Sequence, residues 1–115
     1  MSAMRVYTDY LSDILIAATH AQNFVAGLDF DAFQADPEKA YAVTRALEII
    51  GEAARQLPES LLARHPELPW HEMIGMRNVV IYEYFGVDYE VLRRTVHEDL
   101  PTLRVAVKAI LEAER

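Results

Sequence analysis

The chain has 115 residues, 52% of them hydrophobic, no cysteine and a formal net charge of −7. That length fills one domain, 1–115, and not two; the missing cysteine excludes disulfides and thiolate metal sites and suits a reducing cytoplasm. The acidic balance excludes a broadly basic nucleic-acid surface and leaves RNA only a local cluster of arginines, which supply nine of the eleven basic residues.

No apolar stretch approaches the roughly 18 residues needed to span a membrane, and no basic start with an apolar run and cleavage site marks a secretory signal. A cytoplasmic protein is expected. Tyr7, Tyr10, Ile14, Ala17, Ala21, Phe24 and Leu28 recur three or four apart, which predicts a first helix over 4–27. Gly27 closes it. Asp29 to Phe33 form a short connector, at most one helical turn, whose two phenylalanines are expected to plug the core.

Asp36 and Pro37 are a helix start, an N-cap followed by a proline at the first helical position. Val43, Leu47, Ile50, Ala54 and Leu57 then form one stripe, with Gly51 a point of close helix approach and Pro58 the stop. A short helix is expected at Glu59–Arg64 among Pro58, Pro66 and Pro69. A third main helix runs from Trp70 to Tyr84, and Gly86 ends it. Asp88 caps a fourth, which Pro101 divides near 89–99 and 101–114. Val91, Val96, Leu100, Leu103, Val107, Ile110 and Leu111 are its apolar face. No β-alternation or internal repeat is present. The pattern predicts an all-α protein, an antiparallel bundle of four main helices plus short helical pieces.

Residues 77 to 84 read Arg-Asn-Val-Val-Ile-Tyr-Glu-Tyr. At about 100° per residue, Arg77 and Tyr84 share a helix face, as do Asn78 and Tyr82, whereas Arg77 and Tyr82 diverge by about 140°. A second copy of the helix across a symmetric dimer could bring them to one target. On chemistry alone, the tyrosines could equally be core edges with bonded hydroxyls, and Arg77 could pair with a buried carboxylate. Arg93 and Arg94 lie close enough in sequence to join Arg77 in a basic patch, although a solvated helix face is the simpler reading.

The motifs are more specific than the chemistry. Asp13-Ile14 and Phe24 in the first helix, Ala42-Val43 and Leu47-Glu48-Ile49-Ile50-Gly51-Glu52-Ala53-Ala54 in the second, Pro69-Trp70, Ile74-Gly75-Met76-Arg77-Asn78, Tyr84-Phe85-Gly86-Val87-Asp88 and Leu100-Pro101-x-Leu103 resemble the HepT-like proteins, formerly DUF86, of the HEPN superfamily. The resemblance runs nearly end to end. It implies a small all-helical homodimer acting as a metal-independent endoribonuclease toxin. Its partner would be an MntA-like minimal nucleotidyltransferase antitoxin. The family motif is Arg-x4-His-x-Tyr, in which arginine and histidine form the ribonuclease site at the dimer interface and the tyrosine receives AMP from the antitoxin. Here the resemblance assigns the arginine to Arg77, its polar neighbour to Asn78 and the AMP-accepting tyrosine to Tyr84. The histidine position holds Tyr82.

That exchange bears on the chemistry. RNA cleavage without metal moves a proton off the 2′-hydroxyl and another onto the leaving oxygen, work that suits a group with a pKa near 6.5. A tyrosine of pKa about 10 is ionised in only about one molecule in a thousand at pH 7. The expected loss is about 10²–10⁴-fold, the usual worth of general acid–base assistance. Arg77 could still hold a phosphate. Among the histidines, His20, His65 and His71 read as surface or helix-end residues, and His97 is the best placed for rescue. His71-Glu72 is followed by Met73 and Ile74, so the His-Glu-x-x-His metal motif fails; no metal or cofactor is expected. Two readings follow: a toxin ribonuclease of reduced activity, or a silent HEPN dimer that serves as a binding module for its nucleotidyltransferase.

Overall fold

The computed structural model describes residues 6–75 and 88–114. Every regular element among them is helical: α1 (Tyr7–Val25), α2 (Phe30–Gln34), α3 (Pro37–Arg55), α4 (Glu59–Arg64), α5 (70–75, at the edge of the described residues), α6 (Tyr89–Arg94), a π-helical turn (Thr95–Asp99) and α7 (Leu100–Glu114). The all-α expectation holds.

The helix ends form where the sequence marks them. Gly27 takes a φ of +80°, the left-handed region that favours glycine, and ends α1. Asp29, Asp36 and Asp88 each cap a helix through the side chain, accepting from the backbone N–H of Ala32, Lys39 and Val91 at 2.8, 3.2 and 3.1 Å. Pro37 occupies the first turn of α3, where its missing N–H costs nothing.

α1 packs along both α3 and α7, while α2 sits against α3 and α6. α1 and α7 run antiparallel, since Tyr7 meets Glu114 at one end and Gln22 meets Arg104 towards the other. The α3 stripe of Val43, Leu47, Ile50 and Ala54 is buried as expected, with Leu57 beyond it and Gly51 among buried small residues. In α1 the buried set is Leu11, Ile14, Ala17, Ala18, Ala21 and Val25, with Tyr7, Tyr10 and Phe24 only half-buried beside it. The arc is wider than a single stripe because two helices cover α1. Of the two connector phenylalanines, Phe33 enters the core, whereas Phe30 lies nearer the surface under the Arg93 guanidinium.

Pro101 does not split the last helix as the sequence suggested. The helical path from Tyr89 to Glu114 is continuous and widens into the π turn just ahead of the proline. The Leu100 N–H reaches back five residues to the Thr95 carbonyl. Proline lacks an N–H and its ring crowds the carbonyl four residues back, so a wider turn relieves the conflict without a break. The buried side chains Leu92, Val96, Leu100, Leu103 and Val107 stay in line across it.

Candidate functional site

Arg77, Asn78, Tyr82 and Tyr84 fall within 76–87, outside the described residues. The flanks of that segment are described on both sides. On the near side α5 is anchored by Trp70 and Met73, both buried, and by the indole N–H of Trp70 donating to the His65 carbonyl at 2.8 Å. The Met73 N–H donates to the Pro69 carbonyl at 3.0 Å, so the helical turn forms at once after the proline. On the far side Asp88 caps α6, and Tyr89 meets Phe33 edge-on with ring centroids 5.6 Å apart.

His65 belongs to a polar node at one end of the bundle. The Glu114 carboxylate accepts from the Tyr7 hydroxyl and the Arg64 guanidinium, both at 2.9 Å, and lies 3.3 Å from His65 Nε2. Arg64 foremost, then Tyr7 and His65, hold the Glu114 carboxyl below its usual range. The same carboxylate raises the Tyr7 phenol. The node joins the start of α1, the end of α4 and the end of α7. His20, His71 and His97 are exposed, in keeping with surface or helix-end roles; His97 sits in the π turn. His65 differs from expectation in being half-buried and paired with Glu114 and Glu67.

The arginine patch is weaker than its sequence suggests. Both nitrogens of the Arg93 fork bind Glu90, at 2.8 and 3.2 Å, and its guanidinium stacks over Phe30. Hydrogen bonding to Arg93 lowers the Glu90 pKa, as befits a formed pair. Arg93 is thereby largely neutralised, and Arg94 is exposed. A second basic cluster was not anticipated. Arg104 and Lys108, one turn apart on α7, line a groove with Leu15, Gln22, Pro101 and Val105, and Arg104 donates to the Gln22 side chain.

A polar cleft of about 390 Å³ lies between α1 and α3, lined by Tyr10, Asp13, Arg45, Glu52 and Gln56. Tyr10, Asp13 and Glu52 are each held by polar or ring contacts. Its signal was present in α3, where Arg45, Ile49, Glu52 and Gln56 recur at spacings of 4, 3 and 4 beside the apolar stripe. The cleft offers carboxylates and a guanidinium but no histidine, so it has no ready proton shuttle at neutral pH. Among the described residues no cluster of histidine and carboxylate could hold a metal ion, and no helix is long and apolar enough to cross a membrane.

The family model described as "Ribonuclease HepT-like" matches residues 14–110, a span that contains the whole octapeptide. "Probable ribonuclease HepT" of Thermococcus cleftensis is 46% identical over 100 residues, covering 87% of this chain and 91% of that one. A protein of Caldanaerobacter subterraneus named as a candidate RNase is 39% identical, covering 97% of this chain and 100% of its own length. Another from Methanocaldococcus jannaschii is 41% identical over 88% of this chain and 93% of its own. No solved structure matches the chain significantly. An all-helical architecture, a family model spanning most of the sequence and relatives matched over nearly their full length agree: the chain belongs to the HepT-like ribonuclease family.

Proposed function

We propose that this protein is a HepT-type toxin, a metal-independent endoribonuclease of the cytoplasm that works as a symmetric homodimer. Its silencing partner is a minimal nucleotidyltransferase of MntA type. The observation that carries this reading is the octapeptide, with Arg77, Asn78 and Tyr84 at three positions of the family motif within the matched span. Arg77 holds the scissile phosphate and stabilises the charge that develops on it. Asn78 adds a neutral hydrogen bond. Tyr84 is the AMP acceptor: its phenol oxygen attacks the α-phosphorus of ATP, pyrophosphate leaves, and the phenol proton passes to solvent. The product carries a phosphodiester charge that competes with RNA phosphates for Arg77.

Tyr82 sets the rate. A neutral phenol donates a hydrogen bond but is a poor base at pH 7, so cleavage is slow. Tyr82 also favours the second reading, a silent dimer that engages the nucleotidyltransferase without cutting RNA. A single experiment separates the two. Purified protein is incubated with RNA in chelator, beside Tyr82→His and Arg77→Ala. Slow cleavage that Tyr82→His raises by about 10²–10⁴-fold and Arg77→Ala abolishes supports the toxin. No cleavage by wild type or Tyr82→His supports the silent module. Rapid wild-type cleavage that survives Arg77→Ala sinks the site. Mass spectrometry after incubation with the nucleotidyltransferase and ATP should place AMP on Tyr84; modification only at Tyr82, or none, removes the regulatory part.

A further inference from the structure

A groove of about 330 Å³ opens between the start of α5 and the junction of the π turn with α7. The edges of Leu68, Met73 and Leu103 form its floor, and Glu72, Glu98 and Asp99 stand on its rim. All three carboxylates are exposed. Among the described residues none of them has a hydrogen bond or an ion pair, in contrast to Glu90 and Glu114 with their arginines. No basic side chain lines the groove.

An apolar floor under three unneutralised carboxylates selects its occupant. It repels RNA phosphate, so it is not part of the substrate path. A second copy of a chain with net charge −7 is also disfavoured, because like charges oppose the approach. A cation on an aliphatic stem fits both parts, the stem on the floor and the charge at the rim. Arginine fits better than lysine, because its planar fork can engage two carboxylates at once and sheds water more readily.

We infer that this groove docks an arginine-bearing segment of a partner protein, its guanidinium held by Glu98, Asp99 and Glu72 and its aliphatic stem lying on Leu68, Met73 and Leu103. In sequence the groove immediately precedes the octapeptide, Glu72 standing five residues before Arg77. A partner docked here is tethered to the chain that carries Tyr84. The inference rests on the proposed function only for the identity of that partner, the nucleotidyltransferase.

The test uses the full-length chain, labelled with ¹⁵N and titrated at low salt with an acetylated Leu-Arg-Leu-Arg amide, with Leu-Glu-Leu-Glu as control. Amide shifts should cluster at 68–73 and 98–103 for the arginine peptide alone. The double variant Glu98→Gln with Asp99→Asn should weaken binding about tenfold, as expected for two partly exposed ion pairs. Shifts elsewhere, equal binding of the glutamate peptide, or an unchanged affinity in the double variant would overturn the proposal. Concentration-dependent shifts at the groove without peptide would also overturn it, by assigning the surface to a second copy. With the nucleotidyltransferase, the double variant should raise the KM for AMP transfer and leave kcat unchanged. If wild type takes no AMP while the peptide still binds at the groove, the docking surface stands and the nucleotidyltransferase reading falls.

Discussion

Trp70, the single tryptophan, ties the start of α5 to the loop after α4. Replacing it with phenylalanine keeps an aromatic ring, removes the indole N–H and deletes about three buried heavy atoms. The lost hydrogen bond costs about 1 kcal/mol net. The His65 carbonyl is not orphaned, since the Leu68 N–H also reaches it, at 3.3 Å. The lost packing costs about 2 kcal/mol at roughly 0.8 kcal/mol per buried carbon. The sum is about 3 kcal/mol. With an unfolding entropy of about 2.1 cal/mol/K per residue over 115 residues, Tm should fall by about 12 °C.

Urea denaturation followed by far-ultraviolet circular dichroism measures this without needing the tryptophan as reporter. The two contributions separate with benzothienylalanine at position 70, which keeps the bicyclic shape and replaces the N–H by sulfur. That variant should lose only the hydrogen-bond share, about 1 kcal/mol. If Trp70→Phe is neutral, or if the sulfur analogue loses as much as phenylalanine does, the account of α5 as pinned by both packing and the indole donor is wrong.

Gly27→Ala should destabilise by about 1–2 kcal/mol, because the site has open space but a φ of +80° that an L side chain resists; an unchanged urea midpoint would show that the turn readily relaxes. Glu114→Gln tests the polar node by its pH dependence. The Glu114 pKa is depressed from 4.5 by Arg64, Tyr7 and His65, so its contribution is present above that value and fades as pH falls through the folded pKa. The Tm gap between wild type and Glu114→Gln should therefore be widest near neutrality and narrow by pH 3. The raised Tyr7 pKa works from the other side: its contribution is complete below 10.0 and is lost as pH rises through the folded value. A gap that stays constant from pH 7 to pH 3 would place the node's worth in shape rather than charge.

The apolar stripes carried the fold legibly because burial follows local periodicity. Val43, Leu47, Ile50 and Ala54 are three or four apart and all buried, with no information needed from elsewhere in the chain. Periodicity failed where a neighbour decides. Leu11, Ala18 and Val25 were missed because α7 covers a second side of α1. Phe30 was misjudged because the Arg93 guanidinium, far along the sequence, offers it a surface partner. Pro101 read as a break because its effect depends on whether the preceding turn can widen, and the Thr95–Leu100 bond is such a widening.

The site divides along the same line. Its residue types were legible, since Arg77, Asn78 and Tyr84 match a motif that needs no coordinates, and the Tyr82 exchange follows from a pKa difference alone. What surrounds it was not. The acidic groove joins Glu72 of α5 to Glu98 and Asp99 of the π turn, and only packing brings them together. The arginine cluster fared worse for the same reason, because Arg93 spends its charge on Glu90 one turn away. A like-signed run in sequence states how much charge is available, and the partners brought up by the fold determine how much remains for a ligand. In an acidic chain that remainder matters: Arg94, Arg104 and Lys108 keep their charge at the surface, Glu72, Glu98 and Asp99 keep theirs at the groove, and RNA and an arginine-bearing partner would be sorted to different faces by those two sets.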